Sequence, residues 1–345
     1  MKNILSFVSS KFSIGPLLVS ALLCSGQLSA AQIEGATESE IPTWFKQSFL
    51  DLREDIAEAK KSNRRVMIYF HQNNCPYCAE LVNNNFSQKP VVDYMNRHFD
   101  AIHINMWGDR EITYLDGKTY SEKDLAAKLK IWFTPTLLFL DEIGKVALRI
   151  NGYYPPNRFM TVLEYVAGRH ESRISFRDYS ADKLKPATRG QLNKAPYFLQ
   201  PPYNLAKLPG DKPVAVFFEQ KDCPACDTLH KEIMADSITI TELKAFHTIQ
   251  LDMWSNQNIV LFNGKTVSAR KWAKDLGISY APSAVLFDKG TEVIRIEAFL
   301  KGFHVQSVIN YVSSGSYKTE PSFQRFITKR AEQLLEQGHK VDIWK

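Results

Sequence analysis

One pattern is written twice in this chain, and it constrains the fold more than any other feature. Cys75-Pro-Tyr-Cys78 recurs as Cys223-Pro-Ala-Cys226, with the first cysteines 148 residues apart. Trp107 and Trp254, Gly117 and Gly264, and Pro135 and Pro282 each recur at a spacing of 147. A single one-residue gap between cysteine and tryptophan aligns the whole series. Self-similarity of this kind means one folding unit present in two copies. The length of 345 residues suits it, since an ordinary domain takes about 100–200.

Each copy runs in the same order. An apolar, β-rich run (Val66–Phe70; Val214–Phe218) precedes the C-x-x-C by four residues. A helical segment follows (79–86; 227–234), then a second strand (101–105; 247–251). A polar stretch carries a D/N-G-K-T turn, and a second helix follows it (122–129; 269–276). After the proline come two strands (136–140 and 146–150; 284–287 and 292–296) and a closing helix (158–166; 305–312). Strands alternating with helices predict an α/β sheet in each copy. Trp44–Lys60 reads as an amphipathic helix leading into the first copy, and Ser322–Gln337 as a helix closing the second.

The N-terminus reads as an export signal. Lys2 and Lys11 are the only charges before Glu34, an apolar core spans Gly15–Cys24, and small residues follow at Ser29, Ala30 and Ala31. Cleavage is expected after Ala30 or Ala31. The core is about 10 residues, half of what a bilayer span needs. An uncleaved anchor is the alternative. Cys24 follows bulky Leu22 and Leu23, unlike a lipid-modified cysteine, and reads as part of the signal. Outside the cytoplasm, disulfides persist.

The chain is 44% hydrophobic and 23% charged, with 43 Lys+Arg against 37 Asp+Glu, a net +6. That is globular, and a balance so mild predicts no nucleic-acid partner. Residues 169–212 carry nine Lys/Arg and four Asp/Glu together with Pro186, Pro196, Pro201, Pro202 and Pro209. This stretch reads as a solvated connector without regular structure, packed in part on the domains. The other reading is a docking strip for an acidic partner or a membrane surface. The expected organisation is a signal peptide at 1–31, domain 1 at 42–168, a basic proline-rich linker at 169–204, and domain 2 at 205–345.

With Cys24 removed, four cysteines remain, in two pairs. A thiolate is the nucleophile of disulfide exchange, and a helix N-terminus stabilises it. A strand ending before C-x-x-C and a helix beginning after it put Cys75 and Cys223 at that position as attackers. Cys78 and Cys226, three residues on, would resolve the mixed disulfide. Pro76 and Pro224 suit the first helical turn, where a missing N–H does no harm. A shared zinc would want the pairs about 15–20 residues apart, but Cys78 and Cys223 are 145 apart. Copper or zinc on one pair with a neighbour such as His71 stays open, as does a purely structural disulfide, although so short a loop adds little chain-entropy stabilisation.

These residues resemble the thioredoxin superfamily, twice over: strand, CxxC, helix, and an X-Pro some 60 residues later. The likeness covers about residues 45–167 and 205–313. It implies two tandem thioredoxin-like domains, each a central mixed sheet flanked by helices. It also implies that Thr134-Pro135 and Ala281-Pro282 are cis, face the redox pairs and offer backbone groups to an extended substrate. Gly152 and Gly302 match the family's glycine after the last strand. An exported chain with Thr-Pro and W-x(9)-G-K-T is similar to periplasmic thioredoxin-related proteins of the SoxW type.

Departures are visible. Where thioredoxins often carry a buried Asp six residues before the first cysteine, this chain has Tyr69 and Phe217. Four before it stand His71 and Glu219 in place of an aromatic residue. His71 could titrate near neutrality and favour the Cys75 thiolate, making site 1 the more reactive; Glu219 would oppose ionisation of Cys223. The bland reading makes both solvated strand-end residues. Tyr77 and Ala225, between the cysteines, would modulate each site.

The resulting expectation is an exported protein thiol–disulfide oxidoreductase, leaning towards reductase. It would need no organic cofactor, act on protein thiols and disulfides, and draw electrons from a membrane-embedded reductant carrier. The alternatives are a metal-binding module built on the CxxC pairs and a redox-inactive adaptor. Isomerase activity, a relay between the pairs and the oligomeric state are left open by the sequence.

Overall fold

The computed structural model describes residues 33–184 and 190–344. The export signal, Cys24 and Pro186 lie outside the described residues.

The described chain opens on a two-residue strand, β1 (Ile33–Glu34), before domain 1. Helix α1 is Leu52–Lys61, capped by Asp51, whose carboxylate accepts the N–H groups of Arg53 and Glu54. It is shorter than Trp44–Lys60: Leu50 has φ 63, a left-handed break no helix passes through. β2 (Arg65–His71) is buried along nearly all its length because helices cover both faces of the sheet. Then come α2 (Pro76–Leu81), a widened turn at Val82–Phe86, and α3 (Lys89–His98), which the sequence reading did not include. β3 (Phe99–Asn105), the small hairpin β4 (Glu111–Thr113) and β5 (Thr119–Ser121), and α4 (Glu122–Lys128) follow. β6 (Thr136–Leu140), β7 (Val146–Asn151) and α5 (Pro156–Ala167) close the domain. The sheet order is β3-β2-β6-β7, parallel only between β2 and β3.

The connector is not uniformly irregular. α6 (Phe176–Leu184) precedes all its prolines, and Ser175 caps it by accepting the Asp178 N–H. Arg177 lies buried over the Trp254 ring at 4.1 Å and donates to the Met253 carbonyl at 2.6 Å. This part of the connector is docked on domain 2, not solvated. β8 (Tyr203–Asn204) then pairs within domain 2.

Domain 2 repeats the plan. Its elements are β9 (Val214–Glu219), α7 (Pro224–Thr228) with its own widened turn at Leu229–Ile233, α8 (Ser237–Leu243), β10 (His247–Asp252), β11 (Asn258–Val260) and β12 (Thr266–Ser268). α9 (Ala269–Asp275), β13 (Ser283–Asp288), β14 (Thr291–Ile296) and α10 (Gly302–Ser313) complete it. The sheet order β10-β9-β13-β14 is that of domain 1. α11 (Phe323–Glu336) begins one residue after its Ser322 cap, as the sequence predicts. β15 (Val341–Asp342) returns to pair in parallel with β1.

Each sheet has an outer and an inner face. The outer faces have separate cores, Val66, Ile68 and Phe70 against α1 and α4, and Val216 and Phe218 against α9. The inner faces, which carry the cysteines, merge into one apolar cluster running from Tyr69 and Phe159 to Phe217 and Val308. Tyr153 and Phe299, just beyond β7 and β14, form an antiparallel bridge between the domains. Gly152 faces Ala298 there. A Cβ on this glycine would stand 2.4 Å from that of Ala298, and its φ of +84 also disfavours any other residue.

Candidate functional site

Both C-x-x-C pairs are disulfide-bonded. The residue before each first cysteine is left-handed, Asn74 at φ 56 and Asp222 at φ 49, and Asn and Asp are the side chains that tolerate this best. The turn makes Cys75 and Cys223 the N-caps of α2 and α7. Their sulfurs accept the N–H groups of Cys78 and Cys226, each at 3.1 Å. Pro76 and Pro224 occupy the first helical position. The second cysteines are fully buried, whereas the first are 2% (Cys75) and 6% (Cys223) exposed.

The X-Pro residues stand across from these sulfurs. Thr134-Pro135 and Ala281-Pro282 are cis, as is Pro201-Pro202 in the connector. Cys75 Sγ lies 3.6 Å from the Thr134 carbonyl oxygen and 3.3 Å from its hydroxyl. Cys223 Sγ lies 3.9 Å from the Ala281 carbonyl oxygen, with no hydroxyl beside it. One device fixes both X-Pro loops: Thr136 and Ser283 donate back to the carbonyls of Phe133 and Tyr280, each at 2.7 Å. A hydroxyl residue directly after the proline in both copies was the available sequence signal.

Several expected neighbours behave differently. His71 faces His103 on the adjacent strand at 3.3 Å, and burial pushes its pKa down to about 4, with His103 adding to the fall. It is neutral near pH 7, so the expected titration near neutrality is not what the fold provides. Glu219 is fully buried and neither solvated nor free: it accepts from His230 at 2.8 Å and Gln250 at 3.1 Å. Gly152 does follow β7 and donates to the Pro135 carbonyl at 2.6 Å, but Gly302 opens α10, and Ala298 takes the corresponding place after β14. Tyr69 and Phe217 are buried beneath the pairs. The repeated tryptophans brace the loops before the cysteines, Trp107 donating to Gln72 at 2.9 Å and Trp254 to Gln220 at 3.0 Å.

The two sites differ in their surroundings. At site 2, Pro224 is exposed and Ala225 half-buried, beside an apolar depression lined by Tyr280, Pro282, Phe299 and Leu300. At site 1, Pro76 and Tyr77 are both buried. Tyr77 Oη accepts the Lys301 N–H at 2.9 Å and meets His304 Nδ1 at 3.2 Å, and its ring packs on His304 and Trp344. Burial raises the Tyr77 pKa and lowers that of His304 to about 4. Lys301, His304 and Trp344 have no counterpart motif in the sequence that could have tied them to site 1.

Comparison with known families decides the assignment: a model described as a thioredoxin-like domain matches residues 52–167 and again 203–313. The chain belongs to the thioredoxin-like family. Solved structures similar to the chain each cover about a third of it. A thioredoxin-fold protein from Helicobacter pylori is 25% identical over 36% of this chain and 81% of its own, with a TM-score of 0.31. A thioredoxin from Thermus thermophilus is 26% identical over 34% of this chain and 83% of its own, at 0.27. The reduced C-terminal domain of DsbD from Neisseria meningitidis is 18% identical over 33% and 91%, at 0.24. No curated protein matches the chain. Family membership and two bonded CxxC pairs together point to thiol–disulfide exchange as its chemistry. Among the described residues, no group of three or more His, Cys, Asp or Glu is placed to hold a metal ion, and no helix is long and apolar enough to cross a membrane.

Proposed function

We propose that the protein is an exported thiol–disulfide oxidoreductase of proteins or redox carriers, working as a reductase. One observation carries the reading: each first cysteine caps a helix, its sulfur accepts a backbone N–H, and an X-Pro carbonyl lies within 4 Å. In the reduced protein, the Cys75 or Cys223 thiolate attacks a substrate disulfide sulfur. A mixed disulfide forms and one substrate thiolate leaves. Cys78 or Cys226 then attacks the cysteine sulfur, closing the internal disulfide and releasing the second substrate thiolate. Two electrons have passed to the substrate, and its thiolates take up protons. The Thr134 and Ala281 carbonyls stand where an extended substrate strand could pair beside the sulfur.

Export rests on the composition of residues 1–31, and supply from a membrane-embedded carrier on the likeness to SoxW-type proteins. The test is the reduction potential of each pair, measured with the other pair changed to Ser in glutathione buffers. The reductase reading expects a value near or below about −230 mV for at least one pair, and values above about −180 mV at both would overturn it in favour of an oxidase or isomerase.

A further inference from the structure

The two copies differ most sharply at the residue between the cysteines. Ala225 is half-buried at the side of an apolar depression, whereas Tyr77 is sealed under parts of the molecule far from it in sequence. Its hydroxyl is held by two partners, accepting from Lys301 N and meeting His304 Nδ1. Trp344 covers the ring edge-on, with centroids 5.1 Å apart. Trp344 is itself placed by β15, which pairs with β1. On the other side, the Asn74 N–H donates to Glu38 at 3.2 Å, so the segment after β1 also touches the turn that presents Cys75. Both ends of the described chain, and the start of α10, therefore converge on one redox pair. Among the described residues, no such clamp closes over Pro224, which is exposed, or Ala225, which is half-buried: the connector touches this side only at its edge, with Gly190 beside Asp222 and Asn193 donating to Asp227 at 2.9 Å, although Cys223 shares the local geometry of Cys75.

We propose that site 1 is gated and site 2 is open. Tyr77, clamped by Lys301, His304 and Trp344, closes Cys75 to polypeptides in the resting molecule and makes Cys223 the sulfur that engages protein partners. Cys75 then serves small thiols, or partners that first displace the β1–β15 clasp. Tyr77 and Trp344 are positioning residues that set which class of substrate each site accepts. The inference deepens the disulfide-exchange reading and rests on it for its purpose, but its test requires no redox turnover.

The test is a size comparison on the whole chain. The reduced protein is treated with N-ethylmaleimide or with a maleimide carrying a polyethylene glycol chain, and labelling of Cys75 and Cys223 is followed by peptide mapping. In this reaction the thiolate adds to the maleimide double bond: a sulfur–carbon bond forms, and a proton goes to the neighbouring carbon. A gate whose open form is a minor state of about 10% or less slows the polymer reagent at Cys75 about tenfold or more, relative to its rate at Cys223. The small reagent should show no such ratio. Tyr77→Ala, which copies the CPAC of site 2, and Trp344→Ala should each bring the ratio back towards one. Labelling of the fully buried Cys226 would reveal an unfolded variant, in which case the other variant decides. Equal polymer-to-small ratios at the two cysteines in the unaltered protein, or a ratio that neither folded variant moves, would overturn the proposal. Absence of exchange activity with the ratio intact would sink the oxidoreductase reading and leave the gate standing.

Discussion

Thr134 and Ala281 occupy the same place in the two copies, and one hydroxyl separates them. In the reduced protein, the Thr134 hydroxyl, 3.3 Å from Cys75 Sγ, can donate to the thiolate, whereas Ala281 offers Cys223 nothing of the kind. A hydrogen bond to a charged group contributes about 1.5 kcal/mol, so Thr134→Ala should raise the Cys75 thiol pKa by roughly one unit. The pH dependence of Cys75 alkylation reads this directly, and an unshifted profile would remove the hydroxyl from the mechanism. The placement of the two X-Pro pairs across from the cysteines was legible in the sequence because identity and spacing carry it. His71 and Glu219 were not. Burial, with His103 from the neighbouring strand adding to it, sets the behaviour of His71, and His230, on the turn after α7, holds Glu219; no local pattern announces such surroundings.

At the scale of elements, the strands and the helices flanking each pair could be read because hydrophobic period and turn residues agree there. α3 and α8 were missed: both lie between the widened turn and the next strand, a stretch the sequence reading does not assign, and in α3 the buried Val91 and Met95, four residues apart, were an available helical signal. α6 was hidden by averaging: the charge and proline content of the connector describe its later half and conceal the nine proline-free residues before it. What fixes α6 is Arg177, stacked on Trp254 and bonded to Met253. Arg177→Ala removes a buried cation–π contact and a charged hydrogen bond, a loss of about 2–3 kcal/mol. The guanidinium chloride midpoint should fall accordingly, with Trp254 fluorescence shifting as its cover is lost. An unchanged midpoint would mean that the Arg177 contacts contribute nothing to stability.

For the whole molecule, acid is the revealing condition. Burial holds both His71 and His304 near pKa 4, against an ordinary value near 6.5. Between those values the unfolded chain binds more protons than the native one, so stability falls as pH drops from about 6.5 to 4. At pH 5 each histidine costs about 2 kcal/mol relative to neutral pH. The thermal midpoint should therefore fall between pH 7 and pH 5, and less steeply in His304→Gln. Equal slopes for the two proteins would count against His304 as a source of acid sensitivity.

The bridge between Tyr153 and Phe299 has a consequence of a different order. These residues, like Gly152 and Ala298, are counterparts in the two copies, so each domain meets the other through the same surface. That is the geometry of a two-fold homodimer, here joined into one polypeptide. In a true homodimer, every change in one active site is inherited by both, and a gated site facing an open one could not be encoded. Fusing the subunits lifts that restriction. A tyrosine can stand in one motif and an alanine in the other, and a symmetric ancestor can specialise one half while the other keeps the original trade.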